Sequence, residues 1–389
     1  YSGDDIKEIA HNIYSKYPSY ELDNVTDEIV DYLGDPKLEG SWRRKGMVVG
    51  QVQSGKTTNY SSVICKAADV GYKIIILLAG ITNDLRKQIY YLRNIPQPDQ
   101  RTETWHKFRY NMITASNAYK AYGSQSKQNE LICEKCKPLS LEYTKSRYTE
   151  TPFHWGTKYE PISVQIYEDM YKTKIDDFGC IRHDKYHFVG ASPDGINTDK
   201  TSQLYGRMLE IKNIVNREIN GIPKPEYWIQ MQLQMEVCEL NECDFLETNF
   251  MEYETREQFI MDGTFTRTES GKQKGIMLFF VNEGNAVYKY APLDLSETEY
   301  AEWEDNMMIQ CEMYQWIKTI YWRLESMSNV LILRHQPWID WAIPQIKTLW
   351  ETVEKERGGD ITHRAPKKRE KKTKTTGCML TIETETVKN

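Results

Sequence analysis

No run of twenty apolar residues occurs anywhere in the 389-residue chain, so no membrane-spanning helix is expected from it. A secretory signal pattern is missing too. Eight cysteines in so long a chain are too few for a disulfide framework, which points to a reducing, intracellular compartment. Net positive charge is lacking: 50 Lys and Arg stand against 56 Asp and Glu, a formal charge of -6. That excludes indiscriminate coating of nucleic acid, so any polyanion must be met by a local basic groove or by metals that offset carboxylates. The chain opens on Tyr1 rather than Met, as a fragment or an ordered subset would, and it shows no internal repeat. What is present is a folded composition, 40% hydrophobic and 27% charged, long enough for two or three domains.

Residues 1 to about 45 are helix-like, with Ile6, Ile9, Ile13 and Tyr14 on one face. A short apolar strand, Met47 to Val49, then runs into Gly50-Gln51-Val52-Gln53-Ser54-Gly55-Lys56-Thr57. A helix-compatible run and the strand Lys73 to Leu78 follow, which makes a βαβ beginning. The glycines let backbone N–H groups turn toward phosphate, Lys56 would neutralise it, and Thr57 can touch Mg²⁺. Nucleotide hydrolysis also needs a second carboxylate strand. Between Leu78 and Pro96 only Asp84 is available, in a loop-like Thr82-Asn83-Asp84. Residues 40–93, with Ala79-Gly80 and Leu85-Arg86-Lys87-Gln88 beyond the loop, resemble the start of the Z1 group of helicase-like ATPases. The rest of such an ATPase is absent. The segment reads as a remnant that packs against its neighbour; nucleotide binding at Gly50, Gly55, Lys56 and Thr57, and any role for ATP, stay open.

After Ile95-Pro96-Gln97-Pro98 the chain changes character. Helices are expected at 103–110, 115–122, 160–170 and 226–239, strands at 186–190 and 208–215, and a hairpin at 276–280 with 286–290. Residues 296 to 357 read as helical and rich in Trp. The most informative stretch is Ser192-Pro193-Asp194-Gly195, followed by Glu210-Ile211-Lys212. Glu210 and Lys212 alternate on one strand and share a side of the sheet, while Leu209 and Ile211 bury on the other. Two carboxylates can hold a divalent metal, and a Lys beside them can sit by the water that attacks a phosphodiester. Three neighbours strengthen the pattern. Trp155 to Glu160 supplies a Glu at a helix start, and Tyr227 to Gln232 supplies amides on the helix after the strand. Arg101-x3-Trp105-x3-Arg109-x4-Thr114-Ala115-Ser116 supplies Arg and hydroxyl groups suited to phosphate.

In order, from about 101 to 245, these positions resemble the YqaJ-like viral recombinase nucleases, relatives of phage lambda exonuclease within the PD-(D/E)xK superfamily. A weaker likeness continues through Tyr321-Trp322-Arg323-Leu324 and Trp338 to Trp350, as in the forms carried by large DNA viruses. The resemblance implies an α/β restriction-endonuclease-like core, a mixed sheet flanked by helices, with a helical C-terminal region and the incomplete P-loop segment in front. The expected organisation is 1–95 P-loop segment, 96–295 nuclease domain, 296–360 helical extension and 361–389 basic flexible tail. It implies Glu160, Asp194, Glu210 and the Ile211 carbonyl as ligands of two Mg²⁺ ions, with Mn²⁺ as a substitute. Lys212 would act on the water, and Gln230 would support it. Arg109 and Ser116 would hold a 5′-terminal phosphate, with Gln232 as a further contact. The implied activity is a 5′→3′ exonuclease on double-stranded DNA ends in recombination or repair, alongside a single-strand annealing protein. The alternatives are an endonuclease, or a nucleotide-dependent DNA-binding module with an inert nuclease site. The implied location is a host nucleus or cytoplasmic viral factory, with a monomer preferred over a ring trimer.

Cys133-x2-Cys136 and Cys180-x2-His183 have zinc-ligand character. The resemblance does not ask for that metal, and free thiols are the preferred reading. Trp303, Trp316, Trp322, Trp338, Trp341 and Trp350 read as helical core rather than a base-stacking platform. Residues 364–374 carry seven basic side chains against one acid, and suit either a tether or import signal or a solubilising tail.

Overall fold

Alternating apolar residues build the sheet that organises this protein, and helices close over its two faces. The computed structural model describes residues 83–139 and 152–364, with isolated positions before residue 83. The chain divides into two units, Tyr1–Asn83 and Asp84–Asn389. In the first, Lys66 pairs with Asp27. The P-loop residues Gly50, Gly55, Lys56 and Thr57, the strand expected at 73–78 and the basic tail beyond 364 lie outside the described residues.

The second unit begins inside helix α1 (Asn83–Asn94), followed by α2 (Glu103–Tyr110), β1 (Ile113–Thr114), α3 (Ala115–Ala118), a 3-10 turn, and α4 (Gln125–Cys136). Asp84 therefore stands in the first turn of a helix rather than in a loop. Helix α4 stands where the sequence pattern suggests no element. Its Leu131 and Ile132 are buried, an amphipathic pattern hidden by the surrounding Lys, Gln and Glu. Thr102 caps α2 by accepting the Trp105 N–H at 3.2 Å.

Helix α5 spans Pro152–Tyr171. It starts well before the expected Glu160, because Pro161 looks like a first-turn proline yet sits inside the helix, where only one N–H is lost. Short strands β2 (Ile175–Asp176), β3 (Ile181–Arg182), β4 (Val189–Ala191) and β5 (Gly195–Asn197) lead to β6 (Met208–Asn213). Helix α6 (Pro225–Cys238) then returns to β7 (Glu242–Glu252), followed by α7 (Arg256–Met261), β8 (Lys274–Asn282), β9 (Asn285–Tyr290), α8 (Glu297–Gln310), β10 (Gln315–Leu333) and α9 (Gln336–Glu356). Ser296 and Glu299 form a reciprocal capping box that fixes the start of α8.

The main sheet runs β2-β5-β6-β7-β10-β8-β9; a small sheet runs β1-β4-β3. Strands β6 and β7 are parallel, with Glu210 opposite Phe245 and Lys212 opposite Glu247, and the other pairs of the main sheet are antiparallel. The mixed sheet and flanking helices agree with the expected fold class.

The 296–360 segment is not wholly helical. Helices α8 and α9 stand where a helical extension was expected, but 19 residues between them form β10, which pairs with both β7 and β8. Trp316 and Trp322 are strand residues. Trp322 is buried against Phe250, whereas Trp316 and Trp341 are at least half exposed. The β-branched and aromatic run Trp316-Ile317-Lys318-Thr319-Ile320-Tyr321-Trp322 favours a pleated surface, and two partner strands settle the choice. Among the described residues no helix is long and apolar enough to cross a membrane.

Candidate active site

Strand β6 separates its faces by alternation. Leu209 and Ile211 bury with Tyr167 of α5 and Leu246 of β7. Glu210 and Lys212 lie on the opposite side, where α6 covers them. Glu210 is fully buried. One of its carboxylate oxygens accepts from Lys212 Nζ and, at 2.6 Å, from Gln230 Nε2; the other accepts from Gln234 Nε2 at 2.7 Å. Gln234 also reaches the Ser192 carbonyl at 3.4 Å. The sequence reading missed Gln234. The signal was its spacing: it lies four residues after Gln230, hence on the same helix face.

Asp194 ends the turn into β5 and accepts the Ile211 N–H at 2.7 Å, which ties the Ser-Pro-Asp-Gly turn to β6. Gly195 lets β2 pack closely against β5: a β-carbon there would lie 2.2 Å from Ile175 Cγ2. Glu160 reaches the same locality from α5 and accepts from Arg101 Nη2 at 2.7 Å.

The site carries an excess of acid. Burial drives the Asp194 carboxyl well above the usual carboxylate range, and the Glu210 and Glu160 charges push it further, while Lys212 and the Ile211 N–H oppose them. Burial likewise raises Glu160; the Arg101 charge counters this and Glu210 adds to it. Burial alone would lower Lys212, yet the Glu210 and Asp194 carboxylates hold its ammonium above the ordinary lysine value. The Tyr227 ring lies 5.2 Å from Lys212 Nζ.

Oxygen donors whose charges raise one another are the set that Mg²⁺ or Mn²⁺ would relieve. The residues present fit such an ion in kind. Among the described residues, however, no three His, Cys, Asp or Glu side chains are gathered closely enough to hold a metal. Lys212, Gln230 and Gln234 hold Glu210, Arg101 holds Glu160, and the Ile211 N–H holds Asp194.

A second group adjoins the turn. The Arg109 guanidinium lies 4.0 Å from the Trp105 ring centre and donates to Ser116 Oγ at 3.3 Å and Thr114 Oγ1 at 3.4 Å. Trp105 Nε1 donates to Ser192 Oγ at 3.2 Å, linking this group to the Asp194 turn. Gln232 does not join either group. It is buried, donates to the Leu333 carbonyl at 2.9 Å and accepts the His335 N–H at 2.7 Å. Residues two apart on a helix stand about 200° apart around its axis, so Gln230 and Gln232 cannot share a face.

The cysteine and histidine pairs have separate partners. Cys136, on α4, faces the Val353 carbonyl of α9 at 3.6 Å, and Cys133 precedes it by one turn. Burial pushes the Cys180 thiol up, against a hydrogen bond from Ser192. His183 Nε2 meets Glu236 Oε1 at 3.3 Å.

Residues 104–241 match the family model of the YqaJ-like viral recombinase domain. This span contains every carboxylate, amide and phosphate-suited residue described above except Arg101. An uncharacterized protein of Acanthamoeba polyphaga mimivirus is 26% identical over 374 residues, which cover 85% of this chain and 67% of that protein. Among solved structures, an alkaline exonuclease from Laribacter hongkongensis is 19% identical, with a TM-score of 0.37 over 66% of this chain and 95% of that one. A phage-related exonuclease from Haemophilus somnus 129PT is 11% identical, with a TM-score of 0.35 over 63% of this chain and 94% of that one.

Proposed function

We propose that this chain, whose residues 104–241 carry a YqaJ-like viral recombinase domain, is a metal-dependent DNA nuclease that works from the ends of double-stranded DNA. The observation that carries this reading is Glu210. It is fully buried, both its oxygens are gripped by donors, and Lys212 and the Asp194 turn lie beside it on one face of β6. Glu160, Asp194, Glu210 and the Ile211 carbonyl would hold two Mg²⁺ ions, with Mn²⁺ able to substitute. When bound, such ions would supply a more acidic attacking water and positive charge for the leaving oxygen.

The chain's own groups do the rest. Gln230 and Gln234 fix the rotamer of Glu210, because each amide holds a different oxygen. Lys212, kept cationic by its two acidic neighbours, orients the water and stabilises charge on the phosphate. Arg109, stacked on Trp105 and flanked by the Thr114 and Ser116 hydroxyls, is built for a planar two-pronged contact with a terminal phosphate. That group makes a 5′→3′ exonuclease the preferred form of the activity.

The test is an end-labelled duplex assay with and without 5′ phosphate, Mg²⁺ and ATP. Linear duplex should be shortened in Mg²⁺ without ATP, faster when 5′-phosphorylated, and Lys212→Ala should lower the rate by about 10³-fold. Efficient cutting of closed-circular DNA would establish an endonuclease instead. Cleavage unchanged in Lys212→Ala would remove the proposed site.

A further inference from the structure

Arg101 is one of few described non-glycine residues with a left-handed backbone, φ +67°. An L-residue is strained there, and such strain persists only where surrounding structure fixes it. Here the fixing contacts are visible. Gln97 Oε1 accepts the Gly179 N–H at 2.8 Å, and the Pro98 carbonyl accepts the Cys180 N–H at 3.1 Å. Gln100 Nε2 donates to the Phe178 carbonyl at 3.0 Å and to the Pro193 carbonyl at 3.1 Å, inside the Asp194 turn. Arg101 therefore leaves the backbone at a point set by the site itself, and its guanidinium reaches Glu160.

The two cations of the site differ in freedom. Lys212 lies between Glu210 and Tyr227, its side chain 23% exposed. The Arg101 side chain is 54% exposed, while the Glu160 side chain whose carboxylate it holds is 27% exposed. A divalent ion drawn to Glu160, Asp194 and Glu210 would place like charge beside both, and Arg101 is the one with room to leave. Once displaced, its forked donor set lies at the rim of a metal site that attracts a phosphodiester.

We propose that Arg101 is a phosphate-contacting residue that exchanges partners: it occupies Glu160 in the metal-free protein and passes to a DNA phosphate when metal binds. This rests on the reading of the site as a metal-dependent nuclease. The exchange makes Arg101 a competitor of the metal and a helper of the substrate, two effects that a merely structural arginine would not combine.

Calorimetric titration of Mn²⁺ into the DNA-free protein measures the first effect. Binding of a 5′-phosphorylated duplex in Ca²⁺, followed by anisotropy across a salt series, measures the second. Arg101→Gln should bind Mn²⁺ at least about fivefold tighter. It should also bind the duplex more weakly, with a salt slope shallower by about one. Arg101→Lys, which keeps the charge, should behave like the native protein in the Mn²⁺ titration. Equal Mn²⁺ affinity in Arg101→Gln and the native protein, or an unchanged salt slope, would overturn the exchange while leaving the nuclease reading intact. Mn²⁺ binding by neither protein would overturn the metal reading and the exchange together.

Discussion

Two faces of helix α6 (Pro225–Cys238) treat a buried glutamate in opposite ways. On one face, Gln230 and Gln234 hold Glu210 in a neighbourhood where Asp194 and Glu160 add negative charge, and burial drives Asp194 well above the ordinary carboxylate range. On the opposite face, about 200° around the axis from Gln234, Glu236 meets the Arg334 guanidinium and His183 Nε2. His183 Nδ1 accepts the Lys185 N–H at 3.1 Å, so the proton sits on Nε2 and points at Glu236. Burial would raise the Glu236 carboxyl, but His183 and Arg334 together bring it below the usual value. One helix thus carries a neutralised acid on one face and, on the other, meets a group of three acids set against two cations. Uncompensated burial is disfavoured for folding, which is why it marks sites of chemistry, whereas a paired cluster is what structure alone requires.

The largest test of that contrast is Glu236→Ala. Removing one partner of a buried ion pair leaves Arg334 uncompensated, and about 3–5 kcal/mol of stability should be lost. Cleavage per folded molecule should stay near native. The pH dependence has a definite sign. Because folding lowers the Glu236 value, its contribution is complete above roughly pH 4.3, the unfolded glutamate value, and disappears as pH falls through the folded value. Glu236→Gln should therefore flatten the acid side of the stability curve. Unfolding midpoints measured from about pH 3 to 7, the range that brackets the glutamate value, check this; an acid limb as steep as the native one would show that Glu236 does not set it.

The second test separates the two glutamines that stand only two positions apart in the sequence. Gln232 joins the end of β10 to α9 through the Leu333 carbonyl and the His335 N–H. Gln232→Ala should cost about 1–3 kcal/mol, since two hydrogen bonds to backbone groups are lost at once, with the cleavage rate of the folded fraction unchanged. Gln230→Ala should do the reverse, slowing cleavage at nearly native stability. A Gln232 variant that folds normally and cleaves slowly would return Gln232 to the DNA-contacting role first expected of it.

How much of this was legible follows the range of the forces involved. Asp194, Glu210 and Lys212 were readable because strand alternation is local: packing alone does not put a charged pair at i and i+2 around and between buried Leu209 and Ile211. Glu160 was readable as a residue, but its place within α5 was not, because Pro161 looks like a helix start until tertiary packing carries the helix through it. Strand β10 was hidden for a different reason. Its Trp, Leu and Met residues satisfy a helical pattern as readily as a pleated one, and its conformation is decided by β7 and β8, both distant in sequence. Strand β7 was missed because Asp244 and Glu247 interrupt its apolar run. They can be buried there only because Tyr167 and Arg207 meet Asp244, and Arg217 meets Glu247.

The smallest expected effect is also the most direct probe of the acid-rich face. Asp194 accepts one hydrogen bond, from the Ile211 N–H, and burial together with the charges of Glu210 and Glu160 disfavours its ionised form. Asp194→Asn keeps an oxygen that can accept that N–H, removes one negative charge, and adds an amide that can donate toward the remaining acids. With divalent ions removed by a chelator, the variant should be more stable than the native protein by about 1 kcal/mol, the usual size of gain when a strained functional site is relaxed. That corresponds to a rise of roughly 2 °C in Tm. Added Mn²⁺ should narrow or reverse the difference, because a metal would stabilise the native acids and not the amide. A variant less stable than the native protein in chelator would mean that Asp194 is already compensated, and the contrast between the two faces of α6 would lose its physical basis.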